Sequence, residues 1–394
     1  MPLDFAVIQP HIAQMAAQAH TQSLADRLRD ACDLLREADA AHLLEVIGER
    51  ERSKERIPWL VAKPREEIGA AYGAPPLPSP DFSVVATDGS AIPPDRHSPL
   101  RFFLLNTGLA RLTYGQRPDA HLWARSLFCA DEEDIYIATA GRRIPVEGAR
   151  LGLRMALEEL RALFEAAQEA PADGPVLALR DGSLIFWALQ NEEDAVVRHF
   201  LPPLLDCLER FRKAGIPMAS YISYPGAQDV TNSLRLLVCG KDPQHCGQCA
   251  GASAKERALC QALADFRDQA LFLRHLQPGQ RSAIFDSTSA ILDRYDEQRV
   301  QFFYLHTGEE IARLEAPQWV MQDETLRDFL HAAVADQCRR GRGYPQALIE
   351  AHEEAVITTG EHRLVEQLVE EALAAQGVVY VRSAKDRSKR ERGV

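Results

Sequence analysis

The sequence predicts an α/β protein built on a mixed β-sheet with helices on its faces. The first apolar segments follow one another so closely that they should pair as an antiparallel meander: DFSVVATDGS, RFFLLNTGLARLTYG and LWARSLFC, with DIYIATA as a candidate extension. Two later segments, PVLALRDGS and IPMASYISY, each follow a long amphipathic stretch, over residues 147–169 and 192–213. Crossover helices join strands in parallel, so these two should add parallel strands to the same sheet.

This order of strands, helix, strand, helix and strand is typical of an RNase H-like fold. A doubly wound dinucleotide-binding fold would alternate strands and helices from the start. It would also carry a glycine-rich first turn, which the sequence lacks. We therefore predict an RNase H-like mixed sheet, flanked by helices, within a domain over residues 80–382.

Further helices are expected on both sides of these strands. Apolar residues recur every three to four positions over residues 10–56, which predicts an N-terminal helical region over residues 1–72. A proline-rich linker, AYGAPPLPSP, follows it. After residue 224 the pattern predicts a helix over 254–275, β-rich stretches RVQFFYLHTG and EIARLEAPQWV, helices over 323–340, 345–358 and 360–375, and a last strand GVVYVRS. The charged end, residues 383–394, should form a flexible tail.

Composition and charge argue against three classes of protein: membrane-spanning proteins, secreted proteins and passive nucleic-acid coats. The 394 residues contain no run near the roughly 18 apolar residues of a membrane span, and the N-terminus lacks the pattern of a signal peptide. We therefore expect a cytoplasmic protein that makes no membrane contact. Asp plus Glu number 57 against 45 Lys plus Arg, a net charge of −12. That charge argues against a passive nucleic-acid coat but leaves room for an enzyme with a local basic channel.

Two aspartates, Asp88 and Asp181, each follow an apolar strand and precede Gly-Ser. Strand ends in an open sheet bring carboxylates out of the core, and glycine permits a sharp exit of the backbone. The alternative for each is a plain Asp-Gly turn. Two such aspartates, on the first and fourth strands of an RNase H-like order, should be neighbours and favour a shared site. Carboxylates that converge on Mg²⁺ or Mn²⁺ are what two-metal phosphodiester cleavage requires.

A third carboxylate is expected from the helix between these two strands. In LGLRMALEELRALF, Glu159 lies at the border of the apolar face, whereas Glu158 points nearer to solvent. We favour Glu159 and keep Glu158 as the alternative, with a solvated helix charge as the competing interpretation of either. Near the C-terminus, Pro345 would lie in the first turn of a helix that runs on to Ile357. Tyr344 precedes that helix and His352 lies two turns along it, so both side chains could face one site. The competing interpretations are a structural helix histidine and a tyrosine that caps a helix.

Eight cysteines divide into a cluster and a scattered set. The cluster has six, two and ten residues between successive members: Cys239, Cys246, Cys249 and Cys260. Four cysteines with one C-x₂-C pair suit Zn²⁺ or an iron–sulfur cluster, with His245 as a further nitrogen ligand, and the alternative is reduced surface thiols. We treat residues 239–260 as a cysteine-containing insert. The scattered members should be small buried hydrophobes: Cys32, Cys129, Cys207 and Cys338.

Four stretches, in this order, resemble the NurA nucleases, the partners of HerA DNA translocases: ATDGS, LALRDGSLIFW, EIARLEAPQWV and GYPQALIEAHEEAVI. The resemblance spans about residues 80–375 and implies an active site of Asp88, Glu159 (or Glu158), Asp181, Tyr344 and His352. The carboxylates would bind Mn²⁺ or Mg²⁺, and His352 would bind the second metal or shuttle a proton near neutral pH. Tyr344 would orient a phosphate or the attacking water. The resemblance also implies a homodimer on a hexameric HerA-type ATPase. Its activity would be 5′-to-3′ exonuclease cleavage of DNA, with single-strand endonuclease action as a further candidate, in end resection and double-strand break repair.

Two other hypotheses remain from the sequence. One is a catalytically silent RNase H-like adaptor for a DNA translocase, although an adaptor has no need to retain every candidate catalytic residue. The other is a redox or regulatory protein whose metal is held by the clustered cysteines. If the chain cleaves DNA, candidates for lining the DNA path are Arg142, Arg143, Arg180 and the tail over residues 382–392, with Arg180 favoured because it directly precedes Asp181.

Overall fold

The computed structural model describes residues 3–18, 21–53, 57–95, 98, 100–139, 141–171, 173–239 and 253–378. The predicted strand GVVYVRS from Val379 onward and the predicted tail lie outside these residues. None of the described helices combines the length and the apolar character that a bilayer crossing requires.

The helices are α1 (Phe5–Gln18), α2 (Thr21–Glu37), α3 (Ala40–Ser53), α4 (Glu132–Ile135), α5 (Ala149–Gln168), α6 (Asp194–Ala214), α7 (Asp229–Val238), α8 (Ala254–Asp265), α9 (Asp268–His275), α10 (Gln318–Gln322), α11 (Glu324–Arg340), α12 (Gln346–Ala355) and α13 (Thr359–Ala375). The strands are β1 (Ala62–Pro64), β2 (Phe82–Ile92), β3 (Phe103–Tyr114), β4 (Asp119–Cys129), β5 (Tyr136–Thr139), β6 (Arg142–Pro145), β7 (Val176–Asp181), β8 (Met218–Ile222), β9 (Phe285–Ser287), β10 (Val300–His306) and β11 (Ile311–Pro317).

The chain divides into two compact units. The first contains Met1–Gly73, Tyr224–Thr288 and Phe302–Arg313, and the second contains the remainder. In the first unit, β1 pairs antiparallel with β9, and β10 follows β9 in the sheet. Apolar residues of α2, α3, α7 and α9 form its core together with β10. The predicted helix over 254–275 is two helices, α8 and α9, because Phe266 and Arg267 between them adopt extended backbone.

The second unit contains the predicted mixed sheet, in the strand order β8-β7-β2-β3-β4, with the last four residues of β11, from Leu314 onward, next to β8. β2, β3 and β4 form the antiparallel meander, and β2, β7 and β8 pair in parallel through α5 and α6. The RNase H-like mixed sheet with flanking helices is therefore confirmed. DIYIATA does not extend the meander: β5 pairs with β6 in a separate two-stranded sheet.

Helix α5 packs one face against β2, β3 and β7. Its buried residues include the predicted stripe: Leu153, Ala156, Leu157, Leu160, Leu163 and Phe164. Each fully buried leucine or phenylalanine contributes roughly 1.5–3 kcal/mol to folding. This face therefore fixes the rotation of α5 and, with it, which polar residues of the helix turn toward the sheet.

Candidate active site

Asp88 and Asp181 lie side by side at neighbouring positions of the sheet. β2 and β7 are in parallel register, with Thr87 opposite Arg180, so each aspartate directly follows a paired residue. Burial raises the pKa of the Asp181 carboxyl, and the nearby Asp88 carboxylate raises it further. The two carboxylates therefore repel each other, and a cation between them would relieve that repulsion.

The two Asp-Gly-Ser motifs have different local structures. The second was predicted to end a strand, and β7 does end at Asp181, where Gly182 adopts a φ of 85° and turns the chain. The first was expected to end a strand as well, and that prediction is wrong. β2 continues to Ile92 and remains paired with β3.

Gly89 is required for a close approach rather than for a turn. A side chain at this position would place its Cβ 2.4 Å from Oε1 of Glu159 and 2.5 Å from Sδ of Met155. Because Gly89 has no side chain, Glu159 can lie directly against the strand that carries Asp88 without displacement of either side chain.

Glu159 faces the two aspartates, whereas Glu158 does not. Glu159 is 5% exposed, and its Oε2 accepts a hydrogen bond of 2.5 Å from Nε of Arg180. Burial raises the pKa of Glu159, Arg180 opposes that shift, and Asp88 and Asp181 add to it. Glu158 instead forms ion pairs with Arg161 at 2.9 Å and with Arg154 at 3.5 Å. The structure thus places Glu159, of the two alternatives, at the site.

His352 and Tyr344 reach the two aspartates from the ends of one segment. Nδ1 of His352 lies 2.6 Å from Oδ2 of Asp88, and this hydrogen bond raises the pKa of His352. Tyr344 donates a hydrogen bond to Asp181, and its ring packs edge-on against Tyr221 of β8 at 5.1 Å between centroids. Five predicted residues, namely Asp88, Glu159, Asp181, Tyr344 and His352, are therefore gathered at one site.

Helix α12, which carries His352, is held on the sheet by residues that the sequence reasoning missed. Asn106 donates from Nδ2 to the carbonyls of Glu354 at 3.1 Å and Ala355 at 3.0 Å. Its Oδ1 accepts from Ser126 at 2.8 Å, and Ser90 also donates to the Ala355 carbonyl. These bonds satisfy carbonyls at the end of α12, which lack partners within the helix. The available signal was an amide side chain, Asn106, directly after the apolar run of residues 103–105 in β3.

The turn after Asp181 is held by Glu315 of β11, which was also missed. This carboxylate is 1% exposed, and its Oε2 accepts from the Ser183 hydroxyl at 2.7 Å and from the Leu184 N–H at 2.9 Å. Ser183 in turn lies 3.2 Å from Nε1 of Trp187. The available signal was a carboxylate within the β-rich stretch EIARLEAP, where a strand was expected.

Three of the arginines expected along a DNA path each form an ion pair with a glutamate of this chain. Arg180 was favoured for that role, but it is 8% exposed and donates to Glu159 and, at 3.0 Å, to the Ser183 carbonyl. It therefore does not face solvent, which corrects the prediction. Arg142 and Arg143 are exposed and form ion pairs with Glu193 and Glu132, respectively. Tail residues 382–392 lie outside the described part of the chain.

A divalent cation fits only part of this site. Within the described residues, no group of three or more His, Cys, Asp or Glu side chains is arranged to hold a metal ion. Glu159 is bound to Arg180 and Asp88 to His352, so their oxygens do not converge. Asp88 and Asp181 nevertheless supply the oxygen ligands that Mg²⁺ and Mn²⁺ prefer, and their mutual repulsion favours a cation between them.

Of the clustered cysteines, only two are described. Cys239 follows the last residue of α7 and Cys260 lies in α8, and these two helices pack together. Cys246, Cys249 and His245 lie outside the described residues. The scattered cysteines are all buried, as predicted: Cys32, Cys129, Cys207 and Cys338.

Comparison with known proteins identifies the family. The sequence profile of the NurA domain family matches residues 82–357, which is more than half of the chain. Among solved structures, the NurA nuclease from Sulfolobus solfataricus is 12% identical, with 75% of this chain and 85% of that chain covered and a TM-score of 0.48. A NurA crystal structure with manganese is 12% identical, with 91% and 98% covered and a TM-score of 0.34. No curated protein matches. The NurA domain match shows that the chain belongs to the NurA family.

Proposed function

We propose that this protein is a metal-dependent DNA nuclease, a phosphodiester hydrolase whose central carboxylates are Asp88 and Asp181. The observation that carries the proposal is their position on adjacent parallel strands, where the charge of Asp88 raises the pKa of Asp181. Such a pair of mutually repelling carboxylates has the chemistry of a divalent-cation site. Membership of the NurA family supports the choice of DNA as the substrate.

The proposed roles follow from the contacts of each side chain. Asp88 and Asp181 would hold Mn²⁺ or Mg²⁺, which would polarise the scissile phosphate and activate water. Tyr344 fixes the Asp181 carboxylate through its hydroxyl, and His352 fixes Asp88 through Nδ1. The His352 side chain is 62% exposed, so its Nε2 can exchange a proton with the substrate or with water. Glu159 lies against Gly89, beside Asp88, and is paired with Arg180.

The decisive experiment is degradation of labelled DNA in Mn²⁺, Mg²⁺ or EDTA. We expect cleavage with Mn²⁺ or Mg²⁺ and none in EDTA. Cleavage that persists in EDTA would contradict the metal-dependent mechanism. A folded protein that cleaves no DNA with either metal, but still binds DNA or a translocase, would instead favour the adaptor hypothesis.

The finer activity and the partners form part of the same proposal. We propose 5′-to-3′ exonuclease action during end resection and double-strand break repair, by a homodimer that works with a HerA-type hexameric ATPase. A net charge of −12 supplies little long-range attraction for phosphates. We therefore expect weak DNA binding by the isolated protein and strong stimulation by the ring ATPase across a salt series. Tight DNA binding at physiological salt without that partner would contradict this part.

A further inference from the structure

The buried carboxylate of Glu159 is neutralised by a cation of the chain itself. Nε of Arg180 lies 2.5 Å from Oε2 of Glu159, and the two side chains are 10% and 6% exposed. A carboxylate buried to this degree is strongly disfavoured in its charged form unless it is paired. Arg180 is the positively charged group that acts on Glu159 in this environment, whereas Asp88 and Asp181 both repel it.

This ion pair contacts both Asp-Gly-Ser motifs. Oε1 of Glu159 lies against Gly89, the residue after Asp88. Arg180 is the residue before Asp181, and its Nη1 also donates to the Ser183 carbonyl at 3.0 Å. The pair is therefore positioned to respond to any cation bound between Asp88 and Asp181.

A divalent cation and the Arg180 guanidinium would have opposite effects on Glu159. The cation would attract the carboxylate toward the aspartates, whereas the guanidinium holds it through the bond from Nε to Oε2. A positive charge so close to the site also repels the cation through a medium of low dielectric constant. Removal of the guanidinium would both release the Glu159 carboxylate as a metal ligand and remove that repulsion.

We infer that Arg180 is a positioning residue that holds Glu159 in the metal-free protein and competes with the divalent cation for its carboxylate. This inference rests on the proposed function, because it requires Asp88 and Asp181 to bind the cation. It assigns Arg180 a role in setting metal affinity rather than in contacting DNA. It also accounts for the absence, among the described residues, of a preformed three-carboxylate metal site.

The test measures Mn²⁺ binding to the full chain by calorimetry, without DNA. We expect Arg180→Gln to bind Mn²⁺ at least about tenfold more tightly than wild type, because a nearby unit charge is lost. Glu159→Gln should bind Mn²⁺ more weakly than wild type. The control is Arg161→Gln, which breaks the more exposed pair with Glu158 on the same helix and should leave Mn²⁺ affinity unchanged. Unchanged or weaker Mn²⁺ binding by folded Arg180→Gln would overturn the inference.

A second measurement, of thermal stability without metal, tests the ion pair between Arg180 and Glu159 by itself. In EDTA, Arg180→Gln should lower Tm by roughly 5 °C or more, and the double variant Arg180→Gln/Glu159→Gln should recover part of that loss, because it leaves no buried charge unpaired. An additive loss in the double variant would also overturn the inference. If Arg180→Gln does not fold, Arg180→Lys replaces it, since one ammonium cannot reproduce the guanidinium contacts with both Glu159 and Ser183. Arg180→Lys should then bind Mn²⁺ more tightly than wild type by a smaller factor, and unchanged affinity would count against the inference.

The two proposals fail in different ways. If wild type binds no Mn²⁺, the proposed function fails, while the EDTA stability measurements still report on the pair. If wild type binds Mn²⁺ and cleaves DNA but Arg180→Gln binds Mn²⁺ no more tightly, only the inference about Arg180 fails.

Discussion

Gly108 of β3 lies directly under Ala351 of α12. A side chain at position 108 would place its Cβ 2.1 Å from the Ala351 carbonyl oxygen and 2.3 Å from the Ala355 nitrogen. Gly108 is also the residue paired with Asp88 in the sheet. Because the helix backbone rests on this glycine, the next residue of the helix, His352, can reach the carboxylate of Asp88.

We predict that Gly108→Ala displaces α12 and impairs cleavage. The added methyl group would clash with backbone atoms that cannot move independently, so stability should fall by about 3 kcal/mol or more. The matched control is Gly152→Ala in α5, where a Cβ would meet nothing within 4 Å. That change should stabilise the protein by roughly 1 kcal/mol, because alanine is the better helix former. Thermal unfolding and cleavage assays measure both effects, and equal Tm values for the two variants would contradict this packing argument.

Asn106→Ala should reduce the rate of cleavage more than it reduces DNA binding. Its side chain donates to the carbonyls of both Glu354 and Ala355, which hold the end of the helix that carries His352. Its loss removes this donor from the Glu354 carbonyl and leaves the Ala355 carbonyl with Ser90, a cost of about 1–3 kcal/mol. Ser126→Ala removes only the hydroxyl that supports Asn106, so its effect should be smaller. Steady-state kinetics that show a change in KM alone would argue against this positioning role.

Asp88→Asn and Asp181→Asn should each abolish cleavage without unfolding the protein. Burial and Asp88 both raise the pKa of Asp181, so a neutral side chain there relieves repulsion, and Tm should stay constant or rise. The control is Glu158→Gln, since Glu158 is paired with Arg161 and Arg154 away from the aspartates and should be dispensable for activity. Near-wild-type cleavage by either aspartate variant at saturating Mn²⁺ would show that the carboxylates are wrongly assigned.

Stability should depend on pH through Asp268, in the first unit. Burial, and secondarily Asp229, raise the pKa of Asp268 to about 6, above the value of about 3.9 for an unfolded chain. The folded protein thus keeps a proton that the unfolded chain has lost. The resulting stability is fully present below about pH 3.9 and is lost as the pH rises through about 6.

Asp268→Asn mimics the protonated carboxyl and isolates this effect. The Tm of wild type minus that of the variant should fall as the pH rises from about 4 to 6 and then level off. In wild type the two carboxylate oxygens accept from the N–H groups of Val230 and Thr231, and the single amide oxygen of the variant can accept from one of the two. A difference in Tm that stays constant between pH 4 and 7 would contradict the assigned shift.

We propose that the clustered cysteines hold a metal. Protein purified without oxygen should then contain about one zinc ion, or an iron–sulfur chromophore, per chain. Cys246→Ser and Cys249→Ser should each lose that metal and lower Tm, because metal binding is coupled to folding. Cys207→Ser is the control, since Cys207 is a scattered buried thiol in the second unit. Metal-free wild type from an anaerobic preparation would disprove the proposal.

Local patterns in the sequence determined the strand order of the sheet and the positions of Asp88, Asp181 and Glu159 on its elements. Alternation and spacing are properties of neighbouring residues, so they sufficed for the meander, the crossover helices and the parallel pairing of the two aspartate strands. The apolar face of α5 was enough to favour Glu159 over Glu158, because burial of that face sets the rotation of the helix. The order of motifs also sufficed to indicate the family.

Only the tertiary structure decided which polar groups pair. The first Asp-Gly-Ser looks like the second in sequence, yet β2 continues through it, because β3 supplies partners as far as Leu104 and because Glu159 fills the space beside Gly89. In the sequence, nothing distinguishes Arg180 from an arginine that contacts DNA, and only the fold brings it against Glu159. Such contacts join residues far apart in the chain, and their energies depend on burial and on distances of a few ångströms. A sequence pattern records neither quantity, and the packing of α5 and α12 on the sheet supplies both.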